Sequence, residues 1–241
     1  MIVDFFDPSA YMKGTVFFSP AHVASLLLFA LSIVWMFVHR HKSYMAHVRW
    51  GLLAVLVLSE ISIIIWSIAI GLWDIRFNLP LQLCTISIYL SSFMLITCSY
   101  RIFEVLYFFG IGGALQALIT PELFYTFPHY RFLHFFIAHI AIILAILYMI
   151  WVLNYTVTWK SAVRSFIFLN SLAFIAFWIN YFTGANYMFL ARKPDNPSIL
   201  DWLGPYPWYI LSLEVIVILM FTLLYLPFLL KSKLQKSSSH V

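Results

Sequence analysis

Leu79-Pro80-Leu81-Gln82-Leu83-Cys84 opens an apolar run that continues to Cys98, and Phe135-Phe136-Ile137-Ala138-His139 lies in a second that covers residues 131–153. Each run is long enough to cross a bilayer, which takes roughly 17 to 25 helical residues. Each also carries a reactive side chain, a thiol or an imidazole, not far inside its start. Ionisable groups there are costly and mark function by default. The functional reading turns on whether the two side chains meet.

The remainder of the chain has the same character. Its 241 residues are 63% hydrophobic and 10% charged, with a mean hydropathy of +0.95. That composition excludes an ordinary soluble domain and points to an integral membrane protein. The formal charge of +5 comes without a basic patch interleaved with aromatics, so it speaks for membrane topology and not for nucleic acid. Cys84 and Cys98 fall in one expected helix, about 21 Å apart at helical rise. A disulfide needs Cα atoms within roughly 7 Å, so both are expected as free thiols. The acidic, aromatic start of the chain lacks the basic region of a cleavable signal peptide.

Seven segments pass the length test: 20–38, 49–72, 79–98, 102–120, 131–153, 161–183 and 207–230. Long runs of Leu, Ile, Phe and Val without short alternation predict helices, which satisfy their own backbone groups in lipid. The expected fold is an all-α seven-transmembrane helix bundle. Residues 1–18 form an extracytoplasmic segment, 19–230 the membrane domain and 231–241 a basic, serine-rich cytoplasmic tail. Arg40, Lys42, Arg49, Arg101, Lys160, Arg164, Lys231, Lys233 and Lys236 fall on one side of the spans. Only Lys13, Arg76, Arg131, Arg192 and Lys193 fall on the other, with Asp4, Asp7, Asp74, Glu122, Asp195 and Asp201. Cytoplasmic loops retain positive charge, which predicts the N-terminus outside and the C-terminus in the cytoplasm.

With orientation set, depth along each span becomes readable. His22, Gln82, Cys84 and His139 come early in spans that enter from outside, Gln116 and Asn180 come late in spans that return, Glu214 lies about two turns into its span, and Glu60 is nearer the middle of its own. Asn170 is placed in the inner half. One interior pocket open towards the outer leaflet would shelter all of the outer groups, with Glu60 and Glu214 either protonated there or holding a histidine. An imidazole beside a thiol is the minimum apparatus for acyl transfer. Gln82, Gln116 or Asn180 could donate to the oxyanion. The competing structural readings are definite: Cys84 as a packing residue, His139 as an interhelical hydrogen-bond donor, Cys98 as packing, and His39, His41 and His47 as solvated loop residues. Neither a close ligand spacing for a metal nor a cofactor fingerprint is present. Gly110-Ile111-Gly112-Gly113 follows no strand and reads as a helix-packing site.

The ordered set Ser19-Pro20-Ala21-His22, Leu79–Cys84, Tyr107–Pro121 with its Gly110-Ile111-Gly112-Gly113 core, Phe135–His139, Asn186-Tyr187-Met188-Phe189-Leu190 and Leu203–Tyr209 resembles the YwaF-type bacterial membrane proteins. It is similar also to the eukaryotic transmembrane protein 164 group. The resemblance spans residues 19 to 228 and implies an acyltransferase that moves fatty acyl chains between phospholipids and lysophospholipids. It implies Cys84 and His139 as the catalytic pair, adds Asn186 and Tyr187 to the pocket candidates, and implies a multi-pass protein of the bacterial plasma membrane. One departure stands out: two residues before the cysteine the family often has histidine, and here Gln82 offers hydrogen bonds without a base. The alternative, drawn from intramembrane His and Glu, is a transporter or small-ligand carrier with an outward-facing polar pocket.

Overall fold

A computed structural model describes residues 5–9, 16–194 and 199–238. Asp4, Lys13 and Asp195, counted above in the loop charge, lie outside the described residues, as do most of the N-terminal segment and the last residues of the tail. Among the described residues seven long helices follow one another: α1 (Pro20–His39), α2 (Met45–Ala69), α3 (Leu83–Thr97), α4 (Tyr100–Ile119), α5 (Tyr130–Trp151), α6 (Trp159–Thr183) and α7 (Trp208–Ser238). Short 3-10 turns, Tyr187–Phe189 and Ile199–Leu203, lie between α6 and α7. Six of the helices are long and apolar enough to span a membrane, and α3 is a shorter apolar helix of 15 residues. The chain is a multi-pass membrane protein.

Local chemistry fixes the ends. Ser19 accepts from the His22 backbone N–H and Pro20 opens α1, a position where proline loses no bond. Thr158 and Ser161 exchange bonds in a capping box at the start of α6, and Gly184, at φ 70°, ends it. The third expected span is corrected here. Pro80 has no N–H to give, and Leu79 and Gln82 turn their polar groups to another loop, so the helix begins at Leu83 and not at Leu79.

The two central helices are α4 and α5. Some 61% and 56% of their apolar windows are buried, against 17% for α1 and 6% for α7. α5 packs on α1, α2, α3 and α4, while α4 also meets α6 and α7. Gly112 lets α7 come close, because a Cβ there would stand 2.2 Å from the Met220 methyl group. The peripheral helices show Leu, Ile, Phe and Trp outward along their length, as lipid-facing surfaces do.

At the end of the bundle where α3 turns into α4, polar groups pair with one another, Arg49 Nε excepted. Glu104, buried on α4, accepts from Ser161 Oγ at 2.9 Å and from Arg164 Nη1 at 2.7 and 3.0 Å. Tyr155 donates to the carbonyl of Cys98, and Arg49 Nη1 reaches Cys98 Sγ at 2.9 Å. This corrects the expectation of an inner half almost empty of polar groups. The Arg164 side chain is 60% exposed and that of Glu104 5%, so the two partners are not equivalent. Arg164→Met strands a buried carboxylate and is expected to cost about 2 to 3 kcal/mol. Glu104→Gln keeps the Ser161 bond and frees an arginine that already reaches solvent, for under about 1 kcal/mol. Thermal unfolding of the two variants in detergent checks that order.

Candidate functional site

At the opposite end, α2, α3 and α5 diverge around a cavity of about 630 Å³. Its α5 wall is the stripe Arg131, His134, Phe135, Ala138, His139 and Ile142, residues spaced as one face of a helix. From α2 come Glu60, Ile63, Ile64 and Ser67, again at helical spacing. From α3 come Cys84, Thr85 and Ile88, preceded by Gln82, and the loop at residues 71–79 forms the remaining wall.

Cys84 is the second residue of α3, half-buried and a free thiol. Gln82, the N-cap, makes no side-chain cap, because its Oε1 accepts from the Met188 N–H at 3.1 Å. The N–H groups of Leu83, Cys84 and Thr85 therefore have no acceptor among the described residues. Such a helix start carries partial positive charge and favours an anion. The amide nitrogen of Gln82 remains available to donate.

His139 is 7% exposed and bonds through Nδ1 to the Phe135 carbonyl at 2.6 Å. A carbonyl only accepts, so Nδ1 carries the proton and Nε2 presents its lone pair. No protein group among the described residues occupies that Nε2. His134, on the same wall, is the mirror case: Nε2–H donates to the Ser59 carbonyl at 3.1 Å, which leaves Nδ1 as the acceptor. Glu60 accepts from Tyr89 OH at 2.9 Å. Neither carboxylate expected to orient a histidine does so: a backbone carbonyl holds His139, and Glu214 accepts from Asn170 at 3.2 Å between α6 and α7.

The single chamber is thus smaller than expected. Glu60, Gln82, Cys84 and His139 line it, and six other candidates do not. His22 is 1% exposed, with Nδ1 accepting from Phe18 N–H and Nε2–H donating to the Leu118 carbonyl at 2.8 Å. Both nitrogens are spent, Nε2 on joining α1 to α4 and Nδ1 on the turn that leads into α1. Gln116 is exposed and bonds to Thr120 on its own helix end. Asn180 grips the backbone of Tyr187 twice, through Oδ1 at 2.7 Å and Nδ2 at 3.0 Å, while Asn186 ties a turn through Ala191 and Arg192. Tyr187, fully buried, accepts from the Leu79 N–H at 2.9 Å and donates to the Ile75 carbonyl. Asn180 and Tyr187 hold the cavity wall without lining it.

Arg131 and His134 were missed as cavity residues, although the spacing 131, 134, 135, 138, 139 projects them onto the face of His139 and is readable from sequence alone. The guanidinium of Arg131 lies 5.6 Å from the Trp66 ring centroid. At the rim Arg76 grips Asp74 in a fork, the shortest bond 2.7 Å, and holds its carboxyl below the usual range. A strap of N-terminal residues crosses the same rim: Trp66 Nε1 donates to Phe6 O, His129 Nε2 to Asp7 O and Tyr125 OH to Pro8 O. Among the described residues no group of three His, Cys, Asp or Glu is placed to hold a metal.

Against known proteins, one family profile, that of the TMEM164 family, matches residues 17–225. The chain belongs to the TMEM164 family. The matched region takes in the three helices that build the cavity and the Tyr187 clasp, so the TMEM164 assignment covers the whole candidate site. No curated protein and no solved structure matches the chain.

Two measurements follow from this frame. Tyr187→Phe removes the hydroxyl that closes the wall and leaves the Leu79 N–H unpaired, for about 1 to 3 kcal/mol. Faster hydrogen exchange over residues 75–82 and faster alkylation of Cys84 are expected. His129, just outside α5, has its proton affinity reduced below the ordinary histidine value, chiefly by burial. Its neutral Nδ1 accepts from the Arg131 backbone N–H at 3.0 Å. The neutral form is favoured in the fold, so its contribution is whole above about pH 6.5 and declines as pH falls through the lower folded value. The Asp7 bond survives protonation, because Nε2–H donates it, so the change falls on the cap of α5: the melting temperature in detergent is expected to drop as pH falls below about 6.5, and His129→Gln to flatten that dependence.

Proposed function

We propose that the protein is a membrane-embedded acyltransferase or transacylase acting on phospholipid and lysophospholipid acyl chains, with Cys84 as nucleophile and His139 as base. It is read as a bacterial, YwaF-type member of its family, set in the plasma membrane with its N-terminus outside and its C-terminus in the cytoplasm. The nine-to-five division of Lys and Arg between the two sides supports that orientation. The domains are then an external segment at 1–18, the membrane domain at 19–230 and the cytoplasmic tail at 231–241.

One observation carries the reaction: the Cys84 thiol and the His139 imidazole line one cavity, with Ile88 and Ile142 about a turn further along α3 and α5 and Glu60 at that depth on α2. Nε2 of His139 takes the thiol proton as Sγ attacks an ester carbonyl. The unpaired N–H groups at the start of α3 and the amide of Gln82 are the donors for the oxyanion. Collapse breaks the ester C–O bond, forms the Cys84 thioester, and returns the proton from Nε2 to the departing lysolipid alkoxide. In the second half an acceptor hydroxyl gives its proton to Nε2 and attacks the thioester, and the thiol is restored. Atoms and protons balance with no added cofactor.

A carrier reading draws on one specific feature, the unwound stretch before the short α3, since broken helices at membrane depth line transport sites. The two readings part on one variant. Cys84→Ala is expected to abolish labelling by an acyl-phosphonate probe and all acyl exchange while the protein keeps its melting temperature. His139→Ala is expected to cut the rate by about 10²- to 10⁴-fold. Unchanged labelling and unchanged lipid profiles in Cys84→Ala overturn the enzyme, and solute uptake that survives this substitution selects the carrier.

A further inference from the structure

We infer that Arg131 is the phosphate-binding residue of the cavity, so that its ligand is a phosphodiester-bearing glycerolipid and not a neutral glyceride, sterol ester or free acid. The inference deepens the acyl-transfer reading and rests on it for the fate of the ester, though not for the binding.

On the cavity wall Asp74 is taken by Arg76 in a forked pair, and Glu60, the other carboxylate there, accepts from Tyr89 and forms no ion pair with Arg131. The guanidinium of Arg131 has neither an acidic partner nor a hydrogen bond among the described residues, only the face of Trp66. It is half-buried and lines the cavity. A cation withdrawn from water without a counter-ion is costly, and the cost is recovered when a ligand brings the anion. Guanidinium is the side chain whose planar fork fits two phosphate oxygens at once.

Position supports the same ligand. Arg131 is the second residue of α5, where the helix leaves the interface, and His139 is eight residues deeper on the same stripe, about 12 Å at helical rise. A phosphate held at Arg131 hangs a glycerol backbone down that wall and brings its ester groups towards Cys84 and His139. Below them Ile88 and Ile142 offer an apolar surface to the acyl chain. A neutral glyceride would reach the same isoleucines but leave the cation unpaired. A merely anchoring arginine would gain nothing from lining the cavity, since headgroups outside the bundle serve it as well.

The test is binding without turnover. Full-length protein in nanodiscs is titrated with a dialkyl ether phosphatidylglycerol, a dialkyl ether phosphatidylethanolamine and the matching dialkylglycerol, none of which carries an ester, and with inorganic phosphate. Wild type is expected to prefer both phospholipids to the dialkylglycerol. Arg131→Gln is expected to lose about 10- to 100-fold in affinity for the two phospholipids, the worth of a charge-assisted pair, with no change for dialkylglycerol. Arg131→Lys is expected to recover part of the loss, and melting temperatures certify that both variants are folded. Equal affinity of wild type for phospholipid and dialkylglycerol, or phospholipid binding indifferent to Arg131→Gln, overturns the inference. Saturation by inorganic phosphate to which the lipid adds nothing overturns the lipid as the source of the anion. Cys84→Ala is expected to bind the ether lipids as wild type does, so a failure of the catalytic reading leaves the Arg131 result distinguishable from it.

Discussion

A backbone that leaves the helix within a bilayer has to find hydrogen-bond partners in protein, because lipid offers none. The segment between α2 and α3 meets this requirement by borrowing from the distant loop after α6. Tyr187 closes on Leu79 and Ile75, Asn180 closes on Tyr187, and Gln82 closes on Met188. Four side-chain contacts thereby fix where α3 starts, and with it the position of Cys84. The cavity exists because this lattice holds one wall of it away from the α5 face.

The same lattice explains which parts of the site were legible in the sequence. Span number and depth follow from hydropathy, and the structure returns seven helices at nearly the expected places. Depth is only one coordinate, however. It placed His22, Gln116, Asn180 and Glu214 near the same level as Cys84, yet each finds a partner in another direction around its helix. Whether a buried imidazole is spent or free is decided by the carbonyl that faces it. Leu118 consumes the second nitrogen of His22, whereas Phe135 leaves one nitrogen of His139 unused. Sequence does not encode that choice locally. Rotation about the helix axis is partly encoded: the stripe through Arg131, His134 and His139 is arithmetic on residue numbers, and it locates two residues that a count of loop charges passes over.

The two ends of the bundle differ in what their polar groups have left over. Where α3 meets α4, Glu104 joins Ser161 and Arg164, which ties α4 to α6, and Tyr155 separately holds the Cys98 carbonyl, the pairing of a static joint. At the cavity end the opposite holds. An imidazole nitrogen, an amide group, a guanidinium and the first N–H groups of a helix all point to no protein partner among the described residues. The fully buried side-chain atoms without a partner among the described residues, Arg49 Nε and Ser91 Oγ, lie outside the cavity; the open groups of the cavity end face its void instead, where water or a ligand can meet them.

The shortness of α3 gives this cavity its depth. Fifteen residues rise about 22 Å, roughly 8 Å less than the hydrocarbon thickness a full span must cover. If the far end of α3 is fixed by the tight turn at Cys98 into α4, the deficit falls entirely at the Cys84 end. With that end fixed, the depth of Cys84 is set by the residues that separate it from Cys98, about 21 Å at helical rise, whether or not the helix continues above it. A third helix begun at Leu79 would leave the thiol at that depth and spend the N–H groups of Leu83, Cys84 and Thr85 on carbonyls one turn earlier. Pro80 is therefore more than a helix stop: by ending the N–H ladder early it leaves those donors open beside the thiol, and Tyr187 carries the hydrogen-bonding cost of the backbone it leaves behind.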